Sequence, residues 1–130
     1  MSGIFSKIAT GEIPSYKITE DESYFAFLDI NPLVKGHTLI IPKKETDYLF
    51  DLNDDLLAGM MVFSKRIAKA IEKVVPCKRI GVAVLGLEVP HAHIHLVPIN
   101  SEADISFSKP KLKLTEAEFQ EIAKKIRAEL

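Results

Sequence analysis

Three of the four histidines in this 130-residue chain occupy alternate positions in His91-Ala92-His93-Ile94-His95, with small or apolar residues between them. On an extended strand successive side chains point to opposite faces. His91, His93 and His95 would then share one face, and Ala92, Ile94 and Leu96 the other. An imidazole titrates at about pH 6.5. Three together can pass protons, donate hydrogen bonds, attack an electrophile or bind a metal. A polar strand face or a chance cluster is the plainer reading, but burying three rings as filler is costly, because each needs a hydrogen-bond partner.

Two chemistries suit such a cluster. In one, an imidazole attacks phosphorus while its neighbours orient it and stabilise the phosphoryl oxygens, dividing a difficult displacement into two steps through a covalent phosphohistidine-type intermediate. In the other, the imidazoles ligate zinc or another transition metal, for which His-x-His on a strand is a real spacing. Ligating histidines also need carboxylate or carbonyl partners, and no carboxylate in the sequence is clearly placed for that task. Periodicity alone leaves both open.

The elements that must hold this cluster follow from apolar spacing and turn residues. Ser2 is a candidate cap for a short helix over residues 4–10, ended by Gly11-Glu12-Ile13-Pro14. Residues 16–20 and 23–29 read as two strands around an acidic turn, with Phe25, Phe27 and Asp29 on one face of the second and Tyr24, Ala26 and Leu28 on the other. A loop containing Asn31-Pro32 and ending at Gly36 leads to a strand from His37 to Ile41, stopped by Pro42. His37 would sit where loop becomes strand, and its meaning depends on whether the fold brings it to the other three histidines. Leu56, Leu57, Met60, Phe63, Ile67, Ala70, Ile71 and Val74 recur at three- and four-residue intervals, predicting a helix over about 54–75 with Asn53 as cap and Pro76 as stop. Residues 78–85 read as a strand that can pair antiparallel with the histidine strand, set at 91–99. Residues 101–110 are polar and read as irregular, and Thr115 with Glu118 makes a capping-box pattern for a final helix. The order predicts an α+β domain with an antiparallel sheet.

Length fits one domain, and 47% apolar with 27% charged residues describes an ordinary globular protein. A net charge of −1 argues against nucleic acid or an anionic membrane as partner. The single cysteine, Cys77, allows no internal disulfide, suits a reducing cytoplasm and reads as a small buried hydrophobe. No run of about 18 apolar residues is present, so a soluble cytoplasmic protein is expected.

His91-Ala92-His93-Ile94-His95-Leu96-Val97 resembles the His-φ-His-φ-His-φ-φ signature of the histidine triad (HIT) superfamily, with φ apolar. The resemblance extends to Ile4-Phe5-Ser6-Lys7-Ile8 with Gly11-Glu12-Ile13-Pro14-Ser15, and to Phe25-Ala26-Phe27-Leu28-Asp29-Ile30-Asn31-Pro32 leading into Gly36-His37-Thr38-Leu39-Ile40-Ile41-Pro42-Lys43. It covers about residues 4–100 and is similar above all to the Hint-like nucleotide-binding branch.

The resemblance implies one HIT domain over 1–130, with a sheet of about five strands, one long central helix and a C-terminal helix, and a divergent segment over 101–130. It implies hydrolase or transferase action on nucleoside phosphoramidates or dinucleoside polyphosphates through a nucleotidyl-histidine, releasing a nucleoside monophosphate. His93 would attack the α-phosphorus, His95 would contact the phosphate or departing group, and His91 and His37 would orient the cluster. Ile4, Phe5, Ile8, Phe27, Asp29 and Ile30 would surround base and ribose, with Glu88 and Val89 beside the phosphate. The plainer reading makes the apolar members core and Asp29 the start of a turn. A purine nucleotide or nucleotide conjugate would be the ligand, no cofactor or metal would be needed, and two copies would form a homodimer.

Two departures stand out. Many relatives carry an Asn and a Gly-Gln-Ser/Thr run before the triad, where this chain has Gly86-Leu87-Glu88-Val89-Pro90, so a phosphate would depend on backbone N–H groups there. Gly3 and Ser6 stand where some relatives hold a structural zinc with cysteines, so no such zinc is expected. The loop departure keeps a non-enzymatic alternative open: a nucleotide-binding regulatory protein with little turnover.

Overall fold

The centre of the molecule is two strands buried on both faces, β2 (Tyr24–Leu28) and β3 (Thr38–Pro42). The computed structural model describes residues 3–130. With β1 (Lys17–Glu20), β4 (Arg79–Ala83) and β5 (Ile94–Ile99), these strands form one antiparallel sheet in the order β1-β2-β3-β5-β4. Alternation in β2 divides the core as expected. Tyr24, Ala26 and Leu28 join Ile40, Ile94 and Leu96 beneath α2 (Asp54–Val74) and α3 (Glu116–Ala128). Phe25 and Phe27 turn to the opposite face, where Leu39 and Ile41 meet Phe5 and Ile8 of α1 (Ile4–Thr10). The two long helices therefore build one side of the sheet and leave the other, under α1, for the site.

Local signals explain the helix ends. The Asn53 side chain accepts the Leu56 N–H at 2.8 Å, and α2 stops before Pro76. Thr115 and Glu118 cap α3 reciprocally, at 3.1 and 3.0 Å. The cap expected of Ser2 lies outside the described residues; Gly3 is the residue preceding α1.

The structure departs from expectation in four places. Pro42, read as a stop, is the last residue of β3, opposite Tyr24, and the ladder bond beyond it runs from Lys43 N–H to the Ser23 carbonyl at 2.7 Å. The triad strand begins at Ile94, not His91. Its register sets Thr38 opposite Leu96 and Ile40 opposite Ile94, which would bring Ala92 opposite Pro42. Proline has no N–H to extend that ladder, and the Ala92 N–H bonds instead to the Thr46 carbonyl at 2.7 Å. Residues 101–110 are not wholly irregular, because Ser101 and Asp104 cap a 3-10 turn over Glu102–Ile105. Cys77 is half-buried rather than buried, and burial with the nearby Glu72 raises its thiol pKa.

One glycine on α2 is required by close approach. A Cβ on Gly59 would run into the Tyr24 hydroxyl, which is itself held by the Leu56 carbonyl at 2.7 Å. Gly59→Ala should therefore lower stability by about 1–2 kcal/mol, since overpacking outweighs the helix propensity gained. Urea unfolding checks it, and Tyr24→Phe in the same chain should recover part of the loss.

Candidate nucleotide site

On the α1 side a cavity of about 430 Å³ opens between β2, the residues leading into β5 and the segment after β5. A row of rings runs along its wall. Phe27 meets Phe5 at 5.5 Å between centres, Phe5 meets His93 at 5.2 Å, His93 meets His95 at 4.8 Å, and His95 meets Phe107 at 4.7 Å. The wall thus passes from apolar aromatics, through two imidazoles, to an aromatic from the C-terminal segment.

The hydrogen bonds around these imidazoles assign their protons. Gly36, at φ 91, turns the chain into His37, the residue just before β3. The Leu33 N–H donates to His37 Nδ1 at 3.0 Å, so the His37 proton is on Nε2. That nitrogen lies 2.9 Å from His95 Nδ1 and donates to it, leaving the His95 proton on Nε2. His93 Nδ1 lies 2.7 Å from the His91 carbonyl, which can only accept, so Nδ1 carries a proton and the lone pair of the neutral ring is on Nε2. The cavity therefore holds an imidazole with a bare nitrogen beside one with a proton to give. His91 Nε2 donates to the Pro42 carbonyl at 2.7 Å. Among the described residues, His91 Nδ1 is the one buried side-chain nitrogen or oxygen without a partner.

Burial favours the neutral form of His37, His91 and His95. His37 is pushed down to about 3, first by burial and then by the neighbouring His95 and Lys111. His95 is pushed down to about 4, again by burial before His93 and Lys111. Burial also lowers His91, partly offset by its bond to the Pro42 carbonyl. Asp29 is raised by burial, against which the Asn31 N–H donating to its Oδ1 at 2.8 Å works. His37 Nε2 stands 3.6 Å from Asp29 Oδ2, but a neutral ring that donates to His95 forms no ion pair there.

These shifts set an acid limit. Between the ordinary histidine value of about 6.5 and the depressed values, the unfolded chain takes up protons that the folded chain refuses, so stability rises with pH across that window. Asp29 acts in the opposite sense between its ordinary and its raised value, as one group against three. Urea titrations should show stability falling by about 1–2 kcal/mol per unit as pH drops from about 6 to 4. A flat profile would contradict buried neutral rings.

Of the residues singled out from sequence, Ile4, Phe5, Ile8, Phe27, Asp29, Ile30, Glu88, Val89, His37, His93 and His95 line the cavity. Phe5, Ile8 and Phe27 are also core. Ile4 and Ile30 are 51% and 64% exposed, so they form its rim. The His91 ring does not line the cavity; it is buried against Phe5, 5.9 Å between centres, and what orients His93 is the His91 backbone carbonyl. Sequence reading passed over Phe107 and Lys111, which the polar segment after β5 brings to the cavity. A lone aromatic ahead of Pro110 and its flanking lysines was the available signal. Asp29, His37 and His95 place ligand atoms within 4.8 Å of one another and could hold a cation, though it would displace the proton between the two imidazoles.

A five-stranded antiparallel sheet with a histidine relay opening on an aromatic-walled cavity defines a class of small α+β proteins built around a histidine strand. The HIT domain matches residues 10–102, and the chain belongs to the HIT family. It is similar to an uncharacterized HIT-like protein of Borreliella burgdorferi, 35% identical over 95% of this chain and 94% of that one. The adenosine 5'-monophosphoramidase hnt1 of Schizosaccharomyces pombe is 32% identical over 100% of this chain and 99% of its own. Among solved structures, a Hit-like protein involved in cell-cycle regulation from Bartonella henselae superposes with a TM-score of 0.87 at 35% identity, covering 99% of this chain and 96% of that one.

Proposed function

We propose that this single HIT domain is a nucleotide hydrolase or transferase working through a nucleotidyl-His93 intermediate on nucleoside phosphoramidates or dinucleoside polyphosphates. The observation that carries the reading is the pairing of tautomers: His93 Nε2 bare, His95 Nε2 protonated, rings 4.8 Å apart. His93 Nε2 bonds the α-phosphorus, the bond to the leaving group breaks, and the His95 proton passes to the departing atom. Water then attacks the same phosphorus, its proton returns to His95, and a nucleoside monophosphate leaves as His93 recovers its lone pair. Phe5 and Phe27 form one wall for the base, and Asp29 accepts from the ribose hydroxyls. The monophosphoramidase activity of the fission yeast relative supports this chemistry. Brief incubation with an adenosine phosphoramidate, followed by acid-sparing intact-mass measurement, should give one adenylyl adduct on the native chain and none on His93→Ala. Release of monophosphate without any adduct would sink the covalent mechanism. Activity should survive EDTA; its loss would favour a metal on Asp29, His37 and His95.

A second reading, nucleotide binding with little turnover, is favoured by Leu87 and Glu88, which line the cavity where a side-chain donor would serve the phosphate. Binding of AMP with neither adduct nor product would establish it.

We also infer a homodimer. β4 pairs on one side only, and Val82, Val84 and Leu85 in and beyond it are exposed, as are Met61 and Val62 of α2. An open apolar strand edge is a template for pairing with another chain. Sedimentation should give twice the chain mass, falling to the monomer in Val82→Lys; a monomeric native chain would refute it. Among the described residues no helix is long and apolar enough to cross a membrane, and the lone Cys77 supports a cytoplasmic setting.

A further inference from the structure

Among the described residues lining the cavity, Lys111 is the single lysine or arginine, set against the carboxylates of Asp29 and Glu88. Its Nζ donates to the Phe107 carbonyl at 2.8 Å and lies 5.7 Å from the centre of that ring. Phe107 in turn packs edge-on against His95, 4.7 Å between centres, and against His37 at 6.3 Å. The ammonium is thus tethered at the relay end of the ring row, away from the Phe5–Phe27 wall. Its charge is felt by His37, His95 and Asp29.

A single phosphoryl group at His93 would be met by the His95 proton. A conjugate with further phosphates brings extra negative charge into a cavity that already holds two carboxylates. Leu87 and Glu88 supply no side-chain donor for it, and unit charges a few ångströms apart repel strongly where water is partly excluded. Lys111 is the cavity side chain able to offset that charge, and the Phe107 that tethers it packs on His95, the proposed proton donor to the departing group.

Building on the nucleotidyl-transfer reading above, we propose that Lys111 binds the phosphates beyond the one attacked, so that the chain favours nucleoside polyphosphate conjugates over conjugates with an uncharged amine as leaving group. In that reaction the bond from His93 Nε2 to the α-phosphorus forms as the bridging P–O bond breaks. The electron pair goes to the bridging oxygen, and the terminal phosphates depart as an anion paired with the ammonium. Water afterwards cleaves the P–N bond and releases the monophosphate.

The test compares kcat/KM for diadenosine tetraphosphate and for an adenosine phosphoramidate in the native chain, Lys111→Gln and Lys111→Arg. The ratio of the first to the second should fall about tenfold or more in Lys111→Gln, as expected for the loss of one charge-assisted contact, and recover in Lys111→Arg. An unchanged ratio, or one that rises, overturns the proposal. Calorimetry without magnesium separates this outcome from failure of the hydrolase reading. The native chain should bind ATP more tightly than AMP, and Lys111→Gln should erase that difference. If neither conjugate is cleaved, the hydrolase reading fails and this affinity ratio decides the role of Lys111; equal affinity for ATP and AMP in the native chain refutes it.

Discussion

His93→Ala should lower turnover of an adenosine phosphoramidate by about 10⁴-fold or more while leaving AMP affinity within a few-fold, because removing a nucleophile abolishes the path that depends on it. The expectation rests on one hydrogen bond. His93 Nδ1 donates to the His91 carbonyl at 2.7 Å, so in the neutral ring the lone pair is on Nε2, which opens on the cavity. The contacts proposed for base and ribose belong to other elements that line the cavity, namely α1, β2 and the turn at Asp29. Phe5 packs on His93, so the alanine leaves a gap beside the aromatic wall rather than collapsing it. Steady-state rates beside equilibrium binding separate the two effects, and a variant that retained most of its turnover would remove His93 as the nucleophile.

The second large effect is expected one bond further back. His37→Leu removes the acceptor of the buried Leu33 N–H and the donor to His95 Nδ1. The orphaned N–H should cost about 1–3 kcal/mol of stability. The catalytic loss has a distinct signature. Without a donor on its Nδ1 side, His95 is no longer held with its proton on Nε2, and a leaving group that must be protonated departs slowly. Turnover of an amine conjugate should fall about 10²-fold, a magnitude ordinary for general acid catalysis. A p-nitrophenyl ester of AMP, whose leaving group departs as a stable anion, should be much less affected. Equal losses on both substrates would mean that His37 only supports the fold.

Much of this arrangement is legible in the sequence, and the limits are physical. The alternation of Tyr24, Ala26 and Leu28 with Phe25 and Phe27 announces which side of the sheet each faces, since strand period is fixed by backbone geometry. The caps at Asn53 and Thr115 are local chemistry and stand in the structure as read. The partnership of His37 with His95 is different. The two are 58 residues apart and meet because β3 pairs with β5, a register that neither segment encodes alone. His91 is expected from the sequence to orient the cluster, but that its backbone carbonyl rather than its ring holds His93 could not be read, because every residue has a carbonyl. Phe107 and Lys111 arrive in a segment that lacks the periodicity from which a reader places side chains, so nothing in their spacing points to the cavity.

The carboxylate of Glu45 carries a wider consequence. Its Oε1 accepts from the Gly3 N–H at 2.6 Å and from the Ser6 hydroxyl at 2.8 Å, reaching across about 40 residues to the start of α1. A helix of seven residues has little stability of its own in water. The cover over Phe27 therefore stays in place through this clasp and through the burial of Phe5 and Ile8. Deuterium uptake should appear in the α1 amides well before those of β2 and β3, so the wall proposed for the base can open and reseal without disturbing the sheet that carries the histidine relay.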